Sequence, residues 1–186
     1  GLLLLFGERL RGAAARTPAA RPSAADNRSL KRWFNSPPAT ELQSREPHLP
    51  GGKGLGGTSA SNGMVDRRGD PADYDHWRDL GCGGWDWDSV LPYFIKAEAN
   101  ERREDQFHGT QGPLSVCEGR SMSPLMDAFV EAAKQAGYPE NRDFNGATQD
   151  GVGLYQCTQR TGLRCNSTAA SPHPAMGRPN ATLIPS

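Results

Sequence analysis

Large aliphatic and aromatic side chains are scarce in this sequence. The 186 residues contain 16 Leu, 2 Ile, 5 Val and 6 Phe, a share below the roughly 20% that separates well-filled cores from doubtful ones. Long apolar stretches are also lacking. The longest run, residues 2–6, has five residues, whereas a transmembrane helix needs about 20. The sequence as given therefore predicts no integral membrane segment.

The sequence also lacks net charge, since 21 Lys and Arg balance 21 Asp and Glu. A general electrostatic attraction to nucleic acid or to anionic membranes is therefore not expected. Disorder driven by charge repulsion is not expected either. Glycine and proline, by contrast, are abundant, with 22 Gly and 15 Pro, so a loop-rich fold is predicted.

The cysteines lack the spacing of a metal site. They are Cys82, Cys117, Cys157 and Cys165. Because they form no C-x-x-C pair, neither a zinc site nor a disulfide framework is predicted. Four thiols favour a reducing compartment such as the cytoplasm, whereas three N-x-[S/T] sequons are typical of secreted proteins. The sequons begin at Asn27, Asn166 and Asn180. The compartment stays open, with membrane association as a further alternative.

The N-terminal segment, residues 1–32, is basic, with seven basic and two acidic residues. Its Ala/Arg/Pro/Ser composition is compatible with a transit peptide, a nucleic-acid-binding arm or a disordered tail. We expect a poorly ordered segment.

Three segments predict helices. Asp70 and the proline after it supply an N-cap and a first turn for a helix over 71–80. A second helix is predicted from Asp88 to near Asn100. A third is predicted over 124–136, after a serine N-cap and along an apolar stripe. This stripe consists of Leu125, Met126, Phe129, Val130 and Ala133.

Alternating polarity predicts two strands, over 114–117 and 152–158. The Asn-Gly pair within 143–146 predicts a turn between them. The fold class is therefore mixed α and β with long loops.

The glycine-rich segment 51–64, GGKGLGGTSASNGM, has the most unusual local composition. It contains a formal G-x-G-x-x-G dinucleotide fingerprint from Gly52, with an acidic residue, Asp79, further on. Residues 45–50 argue against that fingerprint, because they contain two prolines where an apolar strand is required. The residues alone leave two alternatives, a flexible loop or a loop that cradles a ligand.

No other polar motif identifies a catalytic residue. His76 and His108 fit surface or capping roles better than catalysis. No G-x-S-x-G motif or marked carboxylate pair is present in the sequence. The Trp-Asp-Trp-Asp segment 85–88 predicts an aromatic anchor that leads into a helix.

Several longer motifs follow one another in a characteristic order: GGKGLGGTSASNGMVDRRGDPADYDHW, GCGGWDWDSVLPYFIKAEANE, FHGTQGPLSV, EAAKQAGYPENRDFNGATQDGVGLYQCTQRTGLRC and HPAMGRPNATL. Over about residues 30–183 this order resembles the N-terminal half of the glucose-methanol-choline (GMC) oxidoreductases, in particular their choline-dehydrogenase-like members. The resemblance implies a partial FAD-binding domain over 33–110 and the start of a substrate domain over 111–186.

The resemblance also implies a reaction and a cofactor. Enzymes of this family are FAD-dependent and oxidise small alcohols by passing a hydride from the carbinol carbon to flavin N5. The implied flavin-contacting residues are Gly56, Gly57, Thr58, Ser59, Asn62, Gly63, Met64 and Val65. Some relatives link the flavin covalently through a histidine at the position of Asn62. An asparagine cannot form that link, so the FAD is expected to be held noncovalently.

The sequence departs from the family at its two ends. The Rossmann strand and glycine fingerprint that open the family fold match nothing here, although residues 2–7 resemble its second strand, with Leu5 where relatives place an acidic residue. The family's catalytic histidine and its His/Asn partner match no residue of this chain. The chain by itself is therefore expected to be inactive. The alternative is a noncatalytic degraded remnant or a small interaction module.

Further departures lie inside the motifs. Ser61, Asp66 and Arg67 stand where the family usually has apolar or aromatic residues. A buried polar group without a partner costs roughly 1–3 kcal/mol, so we expect these residues to loosen the flavin loop. Ser171 and Pro172 interrupt a run that is aromatic and aliphatic in relatives, and the proline is expected to break a helix or strand there.

Overall fold

The computed structural model describes residues 3–7, 31–38, 40, 43–53, 55–121, 123–170 and 178–185. The chain divides into two compact units, one formed by residues 1–64 with 161–186 and the other by residues 65–160. The strands are β1 (Leu3–Gly7), β2 (Lys31–Asn35), β3 (His48–Gly52), β4 (Glu98–Asn100), β5 (Leu114–Val116), β6 (Gln159–Arg160), β7 (Leu163–Arg164) and β8 (Ala181–Pro185). The helices are α1 (Pro71–Asp79), α2 (Trp87–Ala97), α3 (Pro124–Gln135) and α4 (Ser167–Ala170).

The first unit contains two small two-stranded sheets. β1 and β8 pair in parallel, and β2 and β3 pair antiparallel with Pro50 opposite Trp33. A strand therefore does precede the glycine-rich segment, against the expectation from its two prolines. A two-stranded sheet has only edge strands, where a missing N–H is tolerated. The glycines that follow enter a short 3₁₀ turn, Gly57–Ala60, and not the long helix that a dinucleotide fingerprint requires.

The helices of the second unit follow their capping residues. The Asp70 carboxylate accepts the N–H of Ala72 at 2.8 Å and starts α1, as predicted. The Ser123 hydroxyl accepts the N–H of Leu125 and starts α3. The predicted bounds of α2 were wrong at both ends: it starts one residue before Asp88, because Asp86 is the N-cap, and it ends at Ala97, where β4 begins.

An aromatic cluster joins α1 to α2. The Tyr74 ring lies 5.3 Å from Trp77, 5.5 Å from Trp87 and 5.9 Å from Phe94, centroid to centroid. Trp77 also meets Trp85 edge to face. The Trp-Asp-Trp-Asp segment is thus an aromatic anchor at the start of a helix, as predicted.

The apolar stripe of α3 is largely on the surface. Leu125 is 79% exposed and Phe129 is 70% exposed, whereas Val130 and Ala133 are half-buried. Helix α3 therefore forms from its N-cap and its local sequence although much of its apolar face remains open.

Of the two predicted strands, one is present in the structure and the other is not. β5 lies in the predicted segment and pairs in parallel with β4, and the N–H of Gly146 bonds to the carbonyl of Asp143 in the predicted turn. The predicted strand over 152–158 is wrong, because this segment makes only isolated bridges at Val152 and Cys157.

The core of the second unit contains a charged cluster. The His108 side chain is fully buried, with Nδ1 3.1 Å from both Glu98 carboxylate oxygens and Nε2 3.1 Å from Asp143 Oδ2. The buried guanidinium of Arg68 bonds to Glu98 at 2.8 Å, and the Asn100 amide bonds to Glu98 and to Gln156. Buried charges must be paired in this way, because an isolated ion is strongly destabilising in a low-dielectric interior.

Other predictions fall largely outside the described part of the chain. Of the basic segment 1–32, the structure describes only residues 3–7 and 31–32, and Ser171 and Pro172 lie outside the described residues. The division into domains at residues 33–110 and 111–186 stays a prediction. Among the described residues, no helix combines the length and the apolar character needed to cross a bilayer.

Candidate functional site

The glycine-rich segment folds into a tight loop after β3. Gly56 and Gly57 both have left-handed backbones, with φ of 89° and 50°, a conformation that residues with a Cβ rarely adopt. At Gly52 a Cβ would collide with the main-chain carbonyl of Gly57. The composition of this segment therefore has a steric cause, since the loop closes on itself at contact distance.

Two hydroxyl side chains brace the loop from inside. Thr58 Oγ1 accepts the N–H of Gly52 at 3.2 Å, which ties the turn to the end of β3. Ser59 Oγ donates to the carbonyl of Gly56, accepts the N–H of Ser167 at 3.1 Å and lies 3.0 Å from the Ser167 hydroxyl. Ser59 thus connects the glycine turn to the start of α4, about a hundred residues further along the chain.

A buried arginine holds the far side of the loop. Arg164 Nη1 donates to the Ser59 carbonyl at 3.1 Å and to Asn62 Oδ1 at 2.7 Å, and Nη2 donates to the Asn62 carbonyl at 2.9 Å. The planar guanidinium fits this role because its N–H groups form a rigid fork that reaches several oxygens at once. These bonds fix Ser59 and Asn62 of the loop to β7.

Met64 ends the loop in a conformation that is uncommon for its residue type. Its φ is 62°, its side chain is only 6% exposed, and its N–H bonds to Asn62 Oδ1 at 3.0 Å. This side-chain-to-backbone bond is an Asx turn, which stabilises local backbone turns. Left-handed backbone at a non-glycine residue is a frequent feature of functional sites.

The structure brings most of the sequence-predicted residues together. Within the first unit, one loop contains Gly56, Gly57, Thr58, Ser59, Asn62, Gly63 and Met64. Val65 belongs to the second unit, where it pairs with Cys157. Sequence reasoning missed Arg164, Ser167 and Thr168, which contact the loop from β7 and α4. No local pattern marks them, because the contacts span about a hundred residues.

One buried polar group near the loop has no partner within the described residues. The Thr168 hydroxyl accepts and donates no hydrogen bond there although the residue is only 9% exposed. It lies 2.8 Å from the position that a Cβ on Gly56 would occupy. No described side chain caps the adjacent 3₁₀ turn either. A buried hydroxyl without a partner is costly, so this corner of the loop fits a ligand that offers polar atoms.

The polar departures inside the motifs have partners, contrary to expectation. Asp66 accepts a bond from the Asn145 amide at 3.0 Å. Arg67 donates to the Tyr155 hydroxyl at 2.8 Å and to the Gln149 side chain. The Ser61 hydroxyl reaches the Thr58 carbonyl at 3.4 Å. The expected cost of unpartnered groups is therefore not incurred.

A cluster of potential metal ligands lies in the second unit. Ligand atoms of Asp105, His108 and Asp143 lie within 4.8 Å of one another. However, the Arg103 guanidinium lies 3.5 Å from the same Asp143 oxygen that His108 contacts. Because cationic and hydrogen-bonding side chains already occupy that carboxylate, we interpret the cluster as an ion-pair network.

Comparisons with known proteins identify the family. The family model described as GMC oxidoreductase matches residues 14–186. The oxygen-dependent choline dehydrogenase of Sinorhizobium fredii is 43% identical over 159 residues, which cover 84% of this chain and 29% of that protein. The corresponding protein of Vibrio vulnificus is 42% identical over 153 residues, or 81% of this chain and 27% of its own length. The chain thus spans less than a third of these curated relatives.

Solved structures give the same result. A pyridoxine 4-oxidase from Mesorbium loti superimposes with a TM-score of 0.91 and 30% identity, over 100% of this chain and 37% of that one. An FAD-dependent oxidoreductase from Chaetomium thermophilum superimposes with a TM-score of 0.87 and 27% identity, over 100% of this chain and 34% of that one. The mixed, loop-rich fold class predicted from the sequence is confirmed. The family match over residues 14–186, supported by these relatives, shows that the chain belongs to the GMC oxidoreductase family.

Proposed function

We propose that this chain provides the flavin-contacting loop of an FAD-dependent alcohol oxidoreductase. The residues proposed to lie against the flavin are Gly56, Gly57, Thr58, Ser59, Asn62, Gly63, Met64 and Val65. The observation that carries the proposal is the loop held by Arg164, beside the buried Thr168 hydroxyl, which has no hydrogen-bond partner among the described residues. A rigid loop costs little further ordering entropy when a ligand binds.

The residues present fit a polar, ring-containing cofactor. Gly56 and Gly57 have no side chain that would keep a ring from approaching their backbone, and a Cβ on Gly57 would meet no atom of the described residues within 4 Å. Thr168 offers a hydroxyl that is already desolvated. Membership of the GMC family implies a flavin in this role.

The FAD is proposed to be held noncovalently. Asn62 has no nucleophilic atom, and its side-chain oxygen already accepts bonds from Arg164 and from the N–H of Met64. We therefore assign Asn62 to shaping the loop rather than to attaching the cofactor.

The proposed reaction is the oxidation of a small primary alcohol to an aldehyde. FAD, when bound, supplies the acceptor for the hydride that leaves the carbinol carbon. The residues of this chain hold and orient the flavin, and we assign none of them to removal of the alcohol proton. The names of the relatives, choline dehydrogenase and pyridoxine 4-oxidase, support a small alcohol substrate. By itself the chain is proposed to bind FAD without turnover.

A titration of the full chain with FAD tests the proposal. Binding is followed by the quenching of flavin fluorescence, in the unaltered chain, in Gly56→Ala and in the matched control Gly81→Ala. Both glycines are left-handed, with φ of 89° and 104°, but an added Cβ meets Thr168 Oγ1 only at Gly56. We expect Gly56→Ala to abolish FAD binding and Gly81→Ala to retain it.

Other outcomes would contradict the proposal. Equal loss of binding in both variants would show that the effect comes from general destabilisation. Tryptophan fluorescence can report whether the unaltered chain unfolds cooperatively. Cooperative unfolding without any FAD binding would instead favour a noncatalytic interaction module. Turnover of choline with a dye acceptor would contradict the proposed inactivity of the chain alone.

A further inference from the structure

Two cysteines face each other across an isolated antiparallel bridge in the second unit. The N–H of Cys117 bonds to the carbonyl of Cys157 at 2.9 Å, and the N–H of Cys157 bonds to the carbonyl of Cys117 at 2.7 Å. Residues that exchange both bonds lie directly opposite, with Cα atoms about 5.5 Å apart. That separation is within the range of protein disulfides, roughly 4.4–6.8 Å.

We propose that Cys117 and Cys157 form a reversible disulfide when the protein meets a peroxide. All four cysteines are thiols in the structure. Opposite residues in such a pair have Cβ atoms about 5 Å apart, whereas a disulfide brings them to about 3.8 Å. The two segments must therefore move toward each other when the bond forms. The resulting strain makes the disulfide easier to reduce than a permanent structural one.

The difference in exposure sets the order of reaction. Cys157 is partly exposed, whereas Cys117 is only 7% exposed, so the peroxide reaches Cys157 first. The Cys157 thiolate attacks one oxygen of hydrogen peroxide and becomes a sulfenic acid, and the other oxygen leaves as water after protonation. The Cys117 sulfur then attacks the sulfenic sulfur, the S–S bond forms, and a second water leaves with the Cys117 proton. Two thiols are oxidised and one peroxide is reduced to two waters.

Burial and the charges around the pair slow its oxidation at neutral pH. Burial raises the pKa of both thiols, and negative charges nearby raise them further. The charged groups are Glu101 and the opposing Arg120 beside Cys117, and Asp66 and Glu118 beside Cys157. Because the thiolate is the reactive form, oxidation is slow at neutral pH and becomes faster as the pH rises.

Tryptic mapping of the full chain can detect the bond directly, because each cysteine lies on its own peptide. Cleavage after arginine and lysine places Cys117 on residues 104–120, Cys157 on 143–160, Cys82 on 79–96 and Cys165 on the peptide that begins there. The Cys82→Ser variant removes the exposed thiol and with it most crosslinking between molecules. This variant is treated with hydrogen peroxide, alkylated, digested and analysed by mass spectrometry.

We expect one linked species that joins 104–120 to 143–160, lighter by two hydrogen atoms than the separate peptides. Dithiothreitol should abolish it, Cys165→Ser should retain it, and Cys157→Ser should lose it. The proposal is overturned if both peptides stay alkylated at a peroxide dose that fully oxidises Cys82 in the unaltered chain. It is equally overturned if the linked species contains Cys165. Because the unaltered chain and Cys82→Ser carry the decisive measurement, the result does not depend on whether Cys157→Ser folds.

Discussion

The guanidinium of Arg164 donates hydrogen bonds to both the side-chain oxygen and the main-chain oxygen of Asn62, at 2.7 and 2.9 Å. A third bond reaches the Ser59 carbonyl. The conformation of the glycine-rich loop therefore depends on a residue in β7, far along the chain. Since Arg164 is buried, water cannot readily replace these three bonds.

The Arg164→Lys variant should bind FAD at least tenfold more weakly. A lysine ammonium is a point charge and cannot span three oxygens as the planar fork does. A hydrogen bond to a charged group contributes about 1.5–3 kcal/mol to stability. Losing one that holds the FAD-binding conformation of the loop lowers the population of that conformation about tenfold or more, and FAD affinity falls with it. Isothermal titration with FAD measures the change. The matched control is Arg160→Lys, at an exposed arginine that bonds to the Ser115 hydroxyl, and it should leave FAD affinity unchanged.

The Thr168→Val variant should weaken FAD binding without lowering the stability of the chain. Valine keeps the shape of threonine and removes a buried hydroxyl that has no partner within the described residues. The free chain should therefore be as stable as before or more stable, whereas FAD should bind more weakly if the hydroxyl contacts it. Urea unfolding and FAD titration measure the two quantities. Thr168→Ser keeps the hydroxyl and should retain affinity. Weaker binding together with lower stability would instead assign Thr168 a packing role.

The sequence predicts the elements whose causes are local. Asp70 and Ser123 cap their helices within two residues, so pattern and structure agree. Both Asp86 and Asp88 could serve as the N-cap of α2. Asp86 is the N-cap because its carboxylate reaches both the N–H and the hydroxyl of Ser89, a geometry that composition does not reveal.

The features that the sequence did not predict depend on distant partners. The segment 152–158 alternates in polarity as a strand does. Only isolated residues of it form bridges to another segment, so it is not part of a sheet. Arg164 and His108 likewise acquire their roles from residues that the fold brings to them. Alternation and composition describe what a segment prefers, whereas these contacts depend on which segments meet.

The free energy of unfolding should fall as the pH rises above about 6.5. Burial acts to lower the pKa of His108, but the hydrogen bonds and negative charges of Glu98 and Asp143 outweigh it and hold the pKa above its ordinary value of 6.5. Because the pKa of His108 is raised in the folded state, the protonated ring stabilises the fold. This stabilisation is fully present below pH 6.5 and is lost as the pH rises through the folded pKa.

Glu98 determines how the free energy of unfolding changes at acid pH. Burial acts to raise its pKa, but the bonds from His108 and Asn100 lower it below 4.5. Its contribution is therefore lost as the pH falls through that lowered value. Urea unfolding at a series of pH values should give the highest stability between about pH 4.5 and 6.5.

The His108→Gln variant should remove the alkaline decline in stability. Glutamine does not titrate, so its variant should lose no stability between pH 6.5 and about 9.0, below the range in which the buried thiols titrate, although it is less stable overall. The exposed His76 supplies the control, and His76→Gln should keep the decline. An unchanged decline in His108→Gln would show that another group causes it.

The Asp66→Asn variant should be more stable than the unaltered chain at pH 7. Burial, and then the negative charge of Glu98, raise the pKa of Asp66 above 3.8, so its ionised form is disfavoured in the fold and the cost grows as the pH rises through that range. Asparagine keeps an oxygen that can accept the bond from the Asn145 amide and removes the charge. The urea midpoint should therefore rise at pH 7 and match the unaltered chain near pH 3. The exposed Asp150→Asn change should have little effect at either pH. A lower midpoint for Asp66→Asn at pH 7 would contradict this prediction. It would show that the hydrogen bond from Asn145 to the carboxylate stabilises the fold by more than burial of the charge destabilises it.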